Sequence, residues 1–354
     1  MTKILTDHQI DKSQNHLVRC DFFNGPAFIL DESDNDYGLK ADSYINENSP
    51  DNTTRAYRGD LKYFSQWATF ALSFRVPFKL NEEDILKFIF HHLNEMPSEI
   101  DNVLFESGFK RSKGLHSLAT VKRRLTSVTI FLKRSGQDDV CNTPKVKALL
   151  ATFTKTAPLQ KKAKAITLQV LNDLLETCDN SMKGIRDKAL MLFAFSSGGR
   201  RRSEIADAEI KDLEEAGADY IFKIAKSKTD QSGKGHIVPI KGRAAVALKE
   251  WLTALNVTDG KIFRSIKKGG LKMGDCLTTV DINRIVKKRC DLAGYDAEIF
   301  SAHSLRAGFI TESGKQNKPL GDTMALSGHK SLPVAMGYYQ AGNVLHNQAS
   351  NLAG

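Results

Sequence analysis

Between positions 50 and 155, apolar residues recur at every third or fourth place. Tyr57, Leu61, Phe64 and the Trp67-Ala68 pair predict one amphipathic helix, opened by the turn and cap signal Ser49-Pro50-Asp51-Asn52. Residues 83–93 predict a second helix. Residues 118–132 predict a third, with Lys122, Arg123, Arg124, Lys133 and Arg134 around it. Strand signals are nearly absent here, so residues 49–155 read as a small, basic, all-helical domain. Residues 156–165, TAPLQKKAKA, are polar and basic, contain Pro158 and lack an apolar period, as expected of a linker. Beyond them the pattern changes. Thr167 is placed to cap a helix, and residues 190–195 form an apolar helical run leading into Ser196-Ser197-Gly198-Gly199. Residues 220–224 and 236–240 predict two strands joined by a polar, Gly-containing turn. Further helices are predicted from Ala244, Thr279 and Ser301. The expected fold is mainly α with a small antiparallel sheet. An α+β domain spans 166–342, and a short tail covers 343–354.

Charge divides the chain differently. The 354 residues carry 51 Lys+Arg against 41 Asp+Glu, a formal +10. Residues 1–48 hold four basic and nine acidic side chains, a net of −5, so the remaining 306 residues carry +15. That basic excess suits a polyanionic partner. The acidic leading segment, with one apolar patch at Phe22, Phe23, Phe28 and Ile29, reads as a partly ordered extension away from any phosphate backbone. Hydrophobic residues make up 41% of the chain, against disorder, and no run of about 18 apolar residues predicts a membrane span. MTKILTDHQIDKSQ has neither the apolar core nor the cleavage site of a signal peptide. Cys20, Cys141, Cys178, Cys276 and Cys290 are scattered without metal-ligand or disulfide spacing. The expectation is a reduced, cytoplasmic protein without a metal or other cofactor.

Four clusters carry candidate chemistry. In SSGGRRRSEI, residues 196–205, Arg201 and Glu204 lie three apart and share a helical face, so Glu204 could orient Arg201 while leaving other donors free. In HSLR, His303 and Arg306 share a face in the same way, and two such cations gain from a nearby anion. Lys228 sits in the Lys-rich turn between the two predicted strands. In SGHKSLPVAMGYYQ, residues 327–340, Gly328 ends one helix, Ser331 can cap the next with Pro333 in its first turn, and Tyr338 lies nine residues after His329. Each cluster alone has an ordinary explanation as a solvated charge run or packing aromatic.

Taken in order, the set resembles the tyrosine recombinase (phage integrase) family. The family pattern is Arg-x-x-Glu, a hairpin Lys, His-x-x-Arg, Gly-His or Gly-Trp, then Tyr nine residues on. Here it is met by Arg201 and Glu204, Lys228, His303 and Arg306, Gly328-His329, and Tyr338. The helical half, opening with Asn52-Thr53-Thr54-Arg55-Ala56-Tyr57, is similar to the family's core-binding domain. The family usually has an apolar residue on each side of the first arginine, where this chain has Arg200 and Arg202. The register is fixed on Ser203-Glu204, and the choice within Tyr338-Tyr339 on the spacing from His329.

The resemblance implies a catalytic set of Arg201, Lys228, His303, Arg306, His329 and Tyr338, supported by Glu204. Two planar guanidiniums, Arg201 and Arg306, suit the non-bridging oxygens of a phosphodiester, and His329 adds a hydrogen bond. A phenol of pKa about 10 must lose its proton on attack, with His303 as candidate base and Lys228 as candidate acid for the departing 5′ oxygen. The implied product is a 3′-phosphotyrosyl link, which keeps the bond energy, so religation needs neither ATP nor metal. The implied partner is a double-stranded DNA recombination site, enclosed by the two domains as a clamp. The implied assembly on DNA is a homotetramer, with a monomer possible in its absence. Lys122, Arg123, Arg124, Arg200 and Arg202 are candidate DNA contacts. Val344, Leu345 and Leu352 in the tail could pack on a neighbouring subunit. Competing readings are a type IB topoisomerase-like relaxing enzyme and a non-catalytic DNA-binding regulator derived from a recombinase.

Overall fold

The computed structural model describes residues 51–72, 79–156, 163–224, 235–267 and 273–344. The acidic residues 1–48, the hairpin tip with Lys228, and Leu345 and Leu352 lie outside them. So does most of the expected linker. Contacts divide the chain into two compact units, residues 1–159 and 160–354.

The described part of the first unit is helical: α1 Asp51–Leu72, α2 Glu82–Leu93, α3 Ser98–Glu106, α4 Leu118–Arg134 and α5 Pro144–Thr156. Side chains start two of these helices. Asn81 accepts from the Asp84 N–H at 3.0 Å and Asp84 returns the bond at 2.9 Å, closing a capping box on α2. Ser117 accepts from the Thr120 N–H at 3.2 Å to open α4. The buried face of α1 carries Leu61, Phe64 and Trp67, the residues of the predicted period. Trp67 stands edge-on to Phe88 of α2, with ring centroids 4.9 Å apart.

This core has a polar heart. The His92 Nδ1–H donates to the Phe88 carbonyl at 2.6 Å, so its Nε2 is free to accept from the Tyr63 hydroxyl at 2.8 Å. Arg124 donates to His116 Nε2 at 3.0 Å. Its guanidinium also covers the Tyr63 ring, 3.2 Å from the centroid. Both imidazoles are therefore neutral. Burial, then the cations around it, hold His116 down at about 4. Burial likewise holds His92 well below its usual value and pushes Tyr63 up to about 12.

The second unit opens with α6 Leu168–Glu176 and α7 Met182–Ser196. Ala189, Leu190, Met191, Phe193 and Ala194 of α7 are all fully buried, so the helix is enclosed on every side. Its first turns look polar because Asp187 is paired there with two buried arginines. Arg186 Nη2 and Arg289 Nη2 each donate to it at 2.7 Å. After the short α8, Arg202–Asp207, come β1 Leu213–Ala216, β2 Asp219–Ile224 and β3 His236–Ile240, antiparallel in the order β1-β2-β3. Phe222 pairs with Val238, both facing the core. The later helices are α9 Arg243–Leu255, α10 Thr279–Leu292, α11 Ala302–Lys315, α12 Leu320–Ser327 and α13 Leu332–Asn343. The architecture is thus the expected one, mainly α with a small antiparallel sheet. No described helix is long and apolar enough to cross a membrane.

Candidate active site

The site is built where three segments of the second unit meet: the turn from α7 into α8, the start of α11, and the turn from α12 into α13. Two glycines make the first turn possible. Gly198 and Gly199 have φ of +98° and +71°. A Cβ at Gly199 would lie 2.5 Å from the Cα of Arg306, and one at Gly198 would lie 2.4 Å from the Leu326 carbonyl oxygen. Close approach therefore sets the Arg201 segment against the other two.

Arg201 stands just before α8. The Glu204 carboxylate accepts from its backbone N–H at 3.2 Å and from its Nη1 at 2.6 Å. Glu204 is buried, whereas the Arg201 side chain keeps 25% of its surface exposed. The pair has the geometry expected of it: a carboxylate fixes one edge of the guanidinium and leaves the other open.

Arg306 is buried on α11. Its Nη1 donates to the Gly199 carbonyl at 2.9 Å and its Nη2 to His329 Nδ1 at 2.9 Å. A guanidinium has only donors, so His329 Nδ1 must carry the lone pair. The ring is then neutral, with its proton on Nε2. Ser327 Oγ lies 2.8 Å from the same Nδ1 and adds a second support. Burial, then Arg306, Arg201, His303 and Arg200, hold His329 down at about 4. Burial, then Arg201 and Arg200, pull Arg306 down to about 10. His303 keeps one edge open to solvent, yet the atoms around it, then Arg306 and Arg201, hold it below its usual value. At neutral pH the site holds three guanidiniums, one carboxylate and two uncharged imidazoles, one donating and one free to accept.

Tyr338 lies midway along α13, which packs on α11, the helix bearing His303 and Arg306. Gly314 and Gly342 permit that packing. Cβ atoms there would meet the Tyr339 carbonyl at 2.1 Å and the Thr311 carbonyl at 1.8 Å. Thr311 Oγ1 donates to the Tyr338 carbonyl at 3.3 Å. The adjacent tyrosines differ in their hydroxyls. Tyr339 donates to the Lys318 carbonyl at 2.5 Å, while the Tyr338 hydroxyl has no partner among the described residues. Gly328, at φ +68°, ends α12 as expected, and α13 begins with Pro333 in its first turn. Ser331 occupies the cap position without a side-chain bond.

Two candidate DNA contacts are not surface groups. Arg124 is buried under Tyr63 and His116, and Arg200 is buried beside Glu204. Arg124 turns its donors to His116 and Asp60, and Arg200 turns its own to the Leu326 carbonyl and Glu204, so neither is a surface contact of the kind expected of it. Helical phase carried the signal for Arg124: it follows Val121 by three and precedes Leu125, both core residues of α4. Lys122, Arg123 and Arg202 are exposed. Sequence reasoning also missed Ser327 and the conformational demand on Gly198-Gly199.

The phage integrase family model matches residues 164–343. An integrase/recombinase xerD homolog of Selenomonas ruminantium is 27% identical over 339 residues, covering 90% of each chain. Tyrosine recombinase XerD of Proteus mirabilis is 26% identical over 310 residues, 84% of this chain and 86% of its own. Among solved structures, the XerH site-specific recombinase bound to palindromic difH substrate, in a post-cleavage complex, superposes with a TM-score of 0.59 at 17% identity. That match covers 89% of this chain and 83% of the other. The Tn1549 transposon integrase in complex with transposon right end DNA gives 0.58 at 13% identity, over 88% and 98%.

Proposed function

The chain belongs to the phage integrase family, and from that premise we propose that it is a site-specific DNA recombinase in which Tyr338 is the nucleophile. The observation that carries this reading is the convergence of Arg201, Arg306, His303 and His329 from separate segments on one site. Such a site has fixed donors for a phosphate and an uncharged imidazole for a proton.

The Tyr338 phenolic oxygen attacks the scissile phosphorus and its proton passes to His303. The bond from phosphorus to the 5′ oxygen breaks, leaving a 3′-phosphotyrosyl link and a 5′ hydroxyl. Lys228 supplies the proton of that hydroxyl. Charge on the non-bridging oxygens is met by Arg201, by Arg306 and by the His329 Nε2–H. Losing one such donor typically slows a reaction about 10²–10³-fold. His303 suits a base because its neighbours keep it deprotonated near neutral pH. Religation runs the same steps backwards with a different 5′ hydroxyl.

The partner is double-stranded DNA, and exchange between two sites needs four copies of the chain. Lys122 and Arg123 on α4 and Arg202 on α8 supply contacts to the phosphate backbone, which set affinity more than sequence choice. The two units bind as separate DNA-contacting domains, the second bearing the chemistry. The work is carried out in the cytoplasm and fits a mobile or chromosomal recombination site.

The test is a plasmid with two copies of a candidate site, incubated with the protein in EDTA. Recombinant circles from the two-site plasmid, and no change in a plasmid without sites, are expected. Relaxation of the site-free plasmid without exchange would contradict the assignment.

A further inference from the structure

Arg200 is not explained by the reaction so far. It is 2% exposed, in a turn where its neighbours in space are Arg201 and Arg306. A charge in such a place is costly unless it is held by specific partners. Glu204 lies 3.6 Å from its Nη1. Its Nη2 donates to the Leu326 carbonyl at 2.5 Å. Its Nε is buried with no partner.

Leu326 is the informative contact. It lies in the last turn of α12, where carbonyls have no partner within the helix. The Met324 carbonyl accepts from the N–H groups of Gly328 and His329, at 2.8 and 3.2 Å. The Leu326 carbonyl is left to Arg200 and, at 3.4 Å, to His236 Nε2 at the start of β3. The next three residues are Ser327, Gly328 and His329. Arg200 thus grips the backbone immediately before the imidazole that Arg306 receives. Gly198 brings the two strands of chain together, since a Cβ there would lie 2.8 Å from Arg200 Nη2 as well as against Leu326.

We propose that Arg200 is a positioning residue for His329: locked by Glu204, its guanidinium caps the Leu326 carbonyl and fixes the turn that presents His329 to Arg306. It touches the backbone of that turn and leaves the phosphate to Arg201, Arg306 and His329. One carboxylate, Glu204, then serves both functions, orienting Arg201 toward the phosphate and Arg200 toward the turn. This inference rests on the phosphate-site reading above.

The test is a double-mutant cycle on single-turnover adduct formation with nicked site DNA, using full-length wild type, Arg200→Leu, His329→Ala and the double variant. Arg200→Leu is expected to slow adduct formation about tenfold or more in the wild-type background and less than about threefold in the His329→Ala background. Its DNA affinity should stay within about threefold of wild type, because Arg200 lies beneath the surface. Arg200→Lys, which keeps one donor for the carbonyl, should recover part of the rate. A wild-type rate in Arg200→Leu would overturn the proposal. So would an equal fold-loss in both backgrounds, the result that simple misfolding gives. Absence of an adduct in the wild type would instead refute the phosphate-site reading.

Discussion

His329 is gripped through its Nδ1 lone pair, so one proton decides whether the grip exists. Protonation there would set an N–H against the Arg306 donor 2.9 Å away. His116 is in the same position against Arg124. Both are held down at about 4 in the folded chain, against about 6.5 in an unfolded one. Between those values the unfolded chain binds more protons, so stability is full above pH 6.5 and falls as pH drops toward 4. Thermal unfolding followed across that window should show a steady loss of midpoint temperature. His116→Gln and His329→Gln, which cannot take up that proton, should each flatten the slope. An unchanged slope in both variants would contradict the neutral-imidazole arrangement. The residue types of this site were legible in the sequence, because a spacing of three brings Arg201 to Glu204 across the start of α8 and sets His303 and Arg306 on one face of α11. Arg124 and Arg200 were not read correctly, because a run of arginines does not announce which member turns inward. For Arg124 the phase of Val121 and Leu125 decides it; for Arg200 the decision lies in a carbonyl 126 positions away.

Among the elements, the α11–α13 pair bears most directly on chemistry, since it carries His303, Arg306 and Tyr338. Its spacing is set by Gly314 and Gly342, whose missing side chains let backbone meet backbone. Gly314→Ala would place a methyl 2.1 Å from the Tyr339 carbonyl, closer than real contacts allow, so α13 must shift. Adduct formation should fall about 10²-fold, since ångström-scale misplacement of a nucleophile has that order of cost. DNA binding should be retained. Binding and cleavage measured on one nicked substrate will separate the two effects, and parallel losses would argue against it. The strongly periodic helices α1, α2 and α4 and the strands β2 and β3 could be read directly from their apolar patterns. Four elements could not. β1 reads Leu-Glu-Glu-Ala with three exposed residues and exists through its pairing with β2. The first half of α7 hides behind Arg186 and Asp187, because the Asp187 carboxylate is shared between Arg186 and the distant Arg289, which no local pattern reveals. α3 buries only Asp101 and Leu104, and α5 only Val146.

For the whole molecule, the charge is concentrated where DNA contacts are proposed. A net +15 outside the first 48 residues implies affinity dominated by counterion release. Lys122→Ala, removing one exposed phosphate contact, should lower the slope of log affinity against log salt by about 1. Arg124→Ala should leave that slope unchanged, and its effect should be destabilisation of about 1–3 kcal/mol, from the lost cation–π contact over Tyr63 and the buried His116 acceptor left without its donor. Equal slope changes in the two variants would return Arg124 to the surface. These terms set how tightly DNA is held. The central claim concerns what happens once it is held, and it singles out one of two adjacent hydroxyls. Tyr339 is committed to the Lys318 carbonyl, whereas the Tyr338 hydroxyl has no partner among the described residues. The direct measurement is to trap the protein on nicked site DNA, digest the adduct with trypsin and nuclease, and locate the nucleotide by fragment-ion mass spectrometry on the peptide that follows Lys330. The account predicts the phosphoryl nucleotide on Tyr338, with Tyr339 unmodified; a nucleotide found on Tyr339, or on any residue outside that peptide, would contradict it.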